Sequence, residues 1–233
     1  MIDRSDPEFW SDMVDVIVKA TGETFWMVLV SLLLTVLLGL AAGVLLVTTE
    51  SGSLLARPFG SRALGAATNR VLEILVNIGR SVPFIILMIL LIPITRTLVG
   101  TFIGPTAAIV PLTVAGIPFF ARLVEIAIRE VPHGVVEAAE SLGASRWTIL
   151  TKVLIAESVP ALMLGLSTTV VSLIAYSAMV GTVGGGGLGD VAYRYGFQRY
   201  SLEYMLVVVV ILVVLVQILQ SLGNRLARRL SHR

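Results

Sequence analysis

Long runs without a charged side chain alternate with short polar intervals along this chain. Residues 24–49 contain no Asp, Glu, Lys or Arg, and about 20 apolar residues suffice to cross a bilayer as a helix. Residues 81–95, "SVPFIILMILLIPIT", form a shorter apolar run bounded by Arg80 and Arg96, whose long stems can reach toward the interfaces. Residues 106–121 are interrupted by Pro111, Gly116 and Pro118, while 159–183 and 204–222 are long and uncharged. The pattern predicts five membrane-spanning helices, with the termini on opposite sides. Residues 1–22 are acidic and amphipathic, without the basic start and cleavage site of a secretory leader. They are expected to form a retained surface helix leading into the first span.

Composition sharpens this reading. The chain of 233 residues is 56% hydrophobic and only 14% charged, against about 25% charged in a soluble domain. An all-α integral membrane protein follows, organised as a single transmembrane domain over 1–233, with a cytoplasmic loop at 131–152. Positive charge orients it. Arg57, Arg62, Arg70, Arg80, Arg122, Arg129, Arg146, Lys152, Arg225, Arg228, Arg229 and Arg233 fall on one side, against Arg4, Lys19, Arg96, Arg194 and Arg199 on the other. The expectation is N-outside and C-inside. A net charge of +2 gives no reason to invoke nucleic acid.

Candidate chemistry is sparse. The chain has no cysteine, which excludes disulfides and thiolate metal sites. His133 and His232 are isolated, so no metal site is expected. The stretch "GTVGGGGLGD" contains the G-x-G-x-x-G of a dinucleotide cradle at Gly184, Gly186 and Gly189, and the G-x-G-D of an intramembrane aspartyl protease at Gly187, Gly189 and Asp190. The cradle needs a preceding strand and a later acidic residue, and has neither. The protease needs a second carboxylate to share the acid and base roles, but the other aspartates, Asp3, Asp6, Asp12 and Asp15, are all N-terminal. No catalytic residue is assigned. Gly184, Gly185, Gly186, Gly187 and Gly189 are expected to form a flexible outer entrance loop, with Asp190 solvated.

In "VPHGVVEAAESLGASRWTILTK", Pro132 and Gly134 break the preceding helix, and Gly143 ends the next one after about two turns. Val135, Val136, Ala139 and Leu142 are expected on one apolar face, with Glu137 and Glu140 away from it. So short a helix is not stable alone in water and must bury that face on something. By periodicity, an elbow packed on its own bundle would serve.

The segment Glu137 to Gly143, "EAAESLG", resembles the EAA-x-x-x-G loop of permease subunits of bacterial ABC importers. The resemblance covers nearly the whole chain from about Thr21. The blocks "IGRSVPFIILMILLIPITRTLVGTFIG" and "YSAMVGTVGGGGLGDVAYRYGF" look like the permeases of methionine importers within that family. The family consensus continues with I-x-L-P, whereas this chain has Val153, Leu154, Ile155 and Ala156, with Pro160 four residues later.

The resemblance implies that Val135, Val136, Glu137, Ala138, Ala139 and Gly143 form a coupling helix seated on a cytoplasmic ATPase. It implies a homodimer, two ATPase subunits holding ATP and Mg, and an external substrate-binding protein, all at a bacterial inner membrane. No cofactor is expected on this chain itself. Energy considerations agree, because spans one, four and five have no Asp, Glu, His, Lys or Arg, and such residues mark ion-coupled carriers.

Thr169, Ser172 and Tyr176 follow at i, i+3 and i+7 and are candidates to line a pathway. Met179, one turn above Tyr176, is a candidate gate, since a flexible thioether can exclude water and yield when helices part. Small polar residues also serve as packing contacts between membrane helices. Tyr193, Tyr195, Phe197, Tyr200 and Tyr204 suit an interfacial belt or a dock for the binding protein. Two other readings compete: an intramembrane enzyme, which lacks a nucleophile–base pair, and a non-transporting assembly subunit, which composition does not exclude and which substitution of Glu137 or Gly143 in the EAA loop would discriminate.

Overall fold

A computed structural model describes residues 8–50 and 62–230. Most of the expected loop between spans one and two lies outside these residues, as do Asp3, Arg4, Asp6, Arg57, His232 and Arg233. Among the described residues, every regular element is helical. In chain order these are α1 (Phe9–Thr48), α2 (Arg62–Ser81), α3 (Phe84–Leu90), α4 (Ile92–Val99), α5 (Pro105–Arg129), α6 (His133–Ser141), α7 (Arg146–Gly181), α8 (Gly187–Val191) and α9 (Leu202–Leu230). Helix α7 contains a π-helical stretch at Ile149–Leu154, and another, Ala192–Gln198, follows α8.

Among the described residues four helices, α1, α5, α7 and α9, are long and apolar enough to cross a membrane. The second expected span, 81–95, is not one of them: it falls on the short helices α3 and α4, and the count reaches five only if the broken pair Ala63–Ser81 and Phe84–Leu90 is one span. Pro83 has no N–H to continue α2, and its φ of −56° starts α3.

Two expected boundaries are absent. No break separates the N-terminal amphipathic stretch from the first span, because α1 runs unbroken from Phe9 to Thr48. Nor do Pro111, Gly116 and Pro118 interrupt the third span, since α5 is one helix of 25 residues. Its charges are paired along its own surface. Arg122 donates to Glu125 Oε2 at 2.7 Å, and Arg129 donates to Glu125 Oε1 at 3.1 Å. Glu125 is 5% exposed, so these bonds compensate a charge that burial alone would disfavour. Arg129 also pairs with Glu50 at 3.0 Å. Arg122 and Arg129, expected beyond the third span, are thus part of its helix, and Glu125 is the buried group that holds them.

The chain divides into two compact units whose boundaries fall inside α1, α5, α7 and α9. The first comprises Met1–Leu33, Val82–Ala115 and Val170–Gln220. Its core gathers Met27, Leu87, Met88, Leu112, Leu173 and Ile174. A second cluster packs Phe9, Met13, Ile17 and Ala20 of α1 against Leu188, Val191, Tyr204 and Val208. The apolar face at the start of α1 is therefore buried on its own bundle.

The second unit comprises Leu34–Ser81, Gly116–Thr169 and Ser221–Arg233. Here α1 and α5 approach through the G-x-x-x-G spacing of Gly39 and Gly43. A Cβ added at Gly43 would lie 2.6 Å from Ala121 O, and one at Gly39 3.1 Å from Phe120. In lipid, such small residues let dispersion contacts between backbones replace the hydrophobic driving force available in water. Helix α2 joins through Val76, packed with Leu46 and Ala121, and Asn69 Nδ2 donates to Leu46 O at 2.7 Å.

Candidate functional sites: an exposed helix and a clamped glycine turn

In the second unit, α6 begins after Pro132, whose ψ of 132° sets the chain extended before the first helical residue. It ends in a Schellman motif. Gly143 has a φ of +76° and donates to Glu140 O at 2.9 Å, while Ala144 donates to Ala139 O at 3.0 Å. A Cβ at Gly143 would meet nothing within 4 Å. The glycine is required by its left-handed backbone rather than by crowding. Ser145 then caps α7 by accepting from Thr148 N at 3.2 Å.

The apolar face expected on this helix is divided between two sides. Val136 and Ala139 pack on a cluster built from Phe120, Val124, Ile128, Ile149 and Leu150. Val135, at 39% exposure, and Leu142, at 88%, point away from it, and Trp147 at the start of α7 is 70% exposed. Val135, Ala138 and Leu142 are spaced i, i+3, i+7, which places them along one exposed ridge. Glu137 is exposed as well. Thus Ala139 seats the helix and Gly143 turns the chain, while the remaining motif side chains are displayed. An open cavity of about 830 Å³ has Glu50, Arg129, His133, Glu137, Glu140 and Arg146 in its lining.

The consensus proline absent at Ala156 leaves α7 unbroken from Arg146 to Gly181, and Pro160 sits inside it. The π-helical stretch upstream supplies a wider turn, a common site of helix bending. Thr169 does not face an opening: it is fully buried, and its hydroxyl donates to Gly165 O at 2.8 Å. In the first unit, Ser172 and Tyr176 are half-buried, and the Tyr176 ring stacks on Phe84 with centroids 4.4 Å apart. Met179 is 45% exposed, and Ala175, one turn below, is exposed too. The open stripe of α7 in this unit therefore runs through Ser172, Ala175 and Met179.

The glycine turn differs most from expectation. Gly184, Gly186 and Gly187 have φ of +88°, +77° and +76°. Gly187 N donates to Glu23 Oε2 at 2.9 Å and Leu188 N donates to Thr24 Oγ1 at 2.9 Å. Gly104 N donates to Gly184 O at 2.9 Å. The remaining glycines mark close backbone crossings. A Cβ on Gly189 would lie 2.5 Å from Ala178 Cα, and one on Gly181 2.5 Å from the Gly189 carbonyl carbon.

The turn is a packed junction rather than a loose loop. Asp190 is not solvated either. It is 7% exposed and paired with Arg194, whose guanidinium is held above its ordinary pKa by that hydrogen bond. Of the aromatics beyond it, Tyr195 stacks on Tyr204 at 4.6 Å, and Arg199 lies 4.7 Å above the Tyr195 ring. Phe197 and Tyr200 are 61% and 87% exposed. Nothing in the sequence pattern singles out Glu23 and Thr24, because their partners are 164 residues away.

Comparison with known proteins narrows what these sites serve. Residues 51–232 match the family described as "Binding-protein-dependent transport system inner membrane component". The probable D-methionine transport system permease protein MetI of Vibrio cholerae is 53% identical over 219 residues, covering 94% of each chain. The methionine import system permease protein MetP of Bacillus subtilis is 50% identical over 148 residues, covering 64% of this chain and 67% of that one. A solved structure of inward-facing conformations of the MetNI methionine ABC transporter contains a chain 42% identical to this one. It superimposes with a TM-score of 0.88 over 98% of this chain and 100% of its own.

Proposed function

The chain belongs to the inner-membrane components of binding-protein-dependent transport systems, and from that premise we propose that it carries methionine into the cell as half of an ATP-driven pathway. It is a multi-pass membrane permease, and no residue of it is assigned a catalytic role. Two copies form the pathway, two ATPase subunits holding ATP and Mg bind on the cytoplasmic side, and a binding protein delivers solute from outside. The distribution of Arg and Lys supports an N-outside, C-inside orientation.

One observation carries the ATPase interface: the exposed ridge of Val135, Ala138 and Leu142, followed by an exposed Trp147. An uncovered leucine and tryptophan at the end of a rigidly turned short helix suit a protein surface. The ridge engages the ATPase while Val136 and Ala139 anchor the helix to the bundle. Nucleotide binding draws the two α6 helices together, and the bundles rock so that access alternates between the two sides. On the outer side, Ser172, Ala175 and Met179 line the pathway, with Met179 as its gate. Phe197 and Tyr200 are offered to the binding protein.

Methionine as solute rests on identity to the methionine permeases. Reconstitution with the cognate ATPase and binding protein, followed by uptake of labelled L- and D-methionine against other amino acids, tests it. Accumulation of methionine is expected; accumulation of a different solute alone overturns it. Glu137→Lys should uncouple hydrolysis from uptake, whereas an assembly subunit would tolerate the change.

A further inference from the structure

The side chains that hold the glycine turn belong to α1, far from it in sequence, and they contact its backbone directly. Glu23 offers a carboxylate to Gly187 N, and a charged acceptor makes a stronger bond than a neutral one. Thr24 is 2% exposed and uses its hydroxyl twice, donating to Ala20 O at 3.0 Å and accepting from Leu188 N. Both contacts depend on missing side chains. A Cβ at Gly187 would lie 2.6 Å from Thr24 Oγ1 and Met27 Cε, and one at Gly186 would lie 2.8 Å from Glu23 Oε2.

The turn is also fixed to the end of α7. Gly185 N donates to Val180 O at 3.0 Å, and Gly189 sits against Ala178 with no room for a methyl group. Ala178 and Val180 flank Met179.

We propose that Glu23 and Thr24 are positioning residues for the outer gate, holding the glycine turn and the Met179 end of α7 to α1 as one piece. The proposal rests on reading Met179 as part of the pathway. It changes how that pathway opens: the turn does not flex, and α1, the turn and the end of α7 move together. Left-handed glycines here serve to bring backbone N–H groups onto α1 rather than to supply mobility.

The test uses the full transporter complex in lipid nanodiscs and proteoliposomes, with wild type, Glu23→Ala, Glu23→Gln, Thr24→Val and Met179→Ala. Hydrogen exchange reads the Gly187 and Leu188 amides, and efflux of trapped labelled methionine without ATP reads the gate. Loss of a partner opens an amide to exchange, so Glu23→Ala should speed exchange at Gly187 roughly tenfold and raise leak severalfold. Glu23→Gln retains an acceptor oxygen without its charge and should fall between wild type and Glu23→Ala in both. Thr24→Val should act on Leu188 as Glu23→Ala acts on Gly187.

Unchanged exchange in Glu23→Ala overturns the clamp. Faster exchange with leak in Met179→Ala but none in Glu23→Ala overturns the positioning role. Faster exchange without leak in either variant removes the Met179 gate while leaving the clamp in place. Melting temperatures within a degree or two of wild type separate positioning from general unfolding.

Discussion

Helix α6 and the glycine turn both use left-handed glycines, but for different reasons. Gly143 has open space around the position of its missing Cβ, so its role is confined to the backbone angle that ends α6. Gly187 is left-handed and also has neighbours 2.6 Å from its missing Cβ, while Gly189, at an ordinary φ, is held by packing alone, 2.5 Å from Ala178 Cα. The first glycine performs a local task, which a seven-residue motif can encode. Gly187 performs a long-range task, bringing α1 onto a turn 164 residues away, while Gly189 closes the turn onto Ala178 at the end of α7. Glycine content alone does not distinguish a hinge from a close contact.

Gly189→Ala should have the largest effect. Its Cβ would overlap backbone at Ala178, which cannot rotate away, and overpacking of this kind costs about 3 kcal/mol or more. Loss of folded complex in detergent is expected, read by size-exclusion chromatography; a normal yield and melting temperature would show that the turn yields after all. Gly143→Ala is milder, because only the left-handed backbone is penalised, at about 1 kcal/mol. The complex should still assemble and melt a few degrees lower, while uptake per ATP hydrolysed falls. Equal damage from the two substitutions would erase the distinction. Gly22→Ala is the smallest change and has the opposite sign. Gly22 lies in α1 beside Glu23, with nothing within 4 Å of its missing Cβ and no positive φ. Alanine there should stabilise the helix by up to about 1 kcal/mol, visible as a slightly raised melting temperature with unchanged uptake.

The same contrast explains what could be read without a structure. The spans, the two-turn helix ending at Gly143 and the family itself were legible, because charge-free runs and a short motif are local signals. Helix ends were less so. The amphipathic pattern of residues 1–22 suits a surface helix leading into the first span, yet Phe9, Met13 and Ile17 use that face against Leu188 and Tyr204. Pro111 and Pro118 looked like breaks, but α5 runs through both. Leu142 shares an i, i+3 register with Ala139, and periodicity could not say that one is displayed and the other seated. Thr169 belongs to a polar stripe in sequence and to a packed interior in space. Each of these outcomes was decided by packing in three dimensions, to which a hydropathy window is blind.

On the proposed function, the exposed ridge of α6 transmits ATP energy to this permease. The direct measurement is ATP-dependent uptake of labelled methionine by proteoliposomes containing the permease, its ATPase and its binding protein, with Leu142→Asp compared to wild type. Leu142 is 88% exposed and contributes little to folding, so the variant permease should insert normally. Wild type should accumulate solute only with ATP, and Leu142→Asp should lose ATPase binding and uptake together, by roughly tenfold or more for a desolvated interface anchor. Uptake by Leu142→Asp at the wild-type rate would contradict the account.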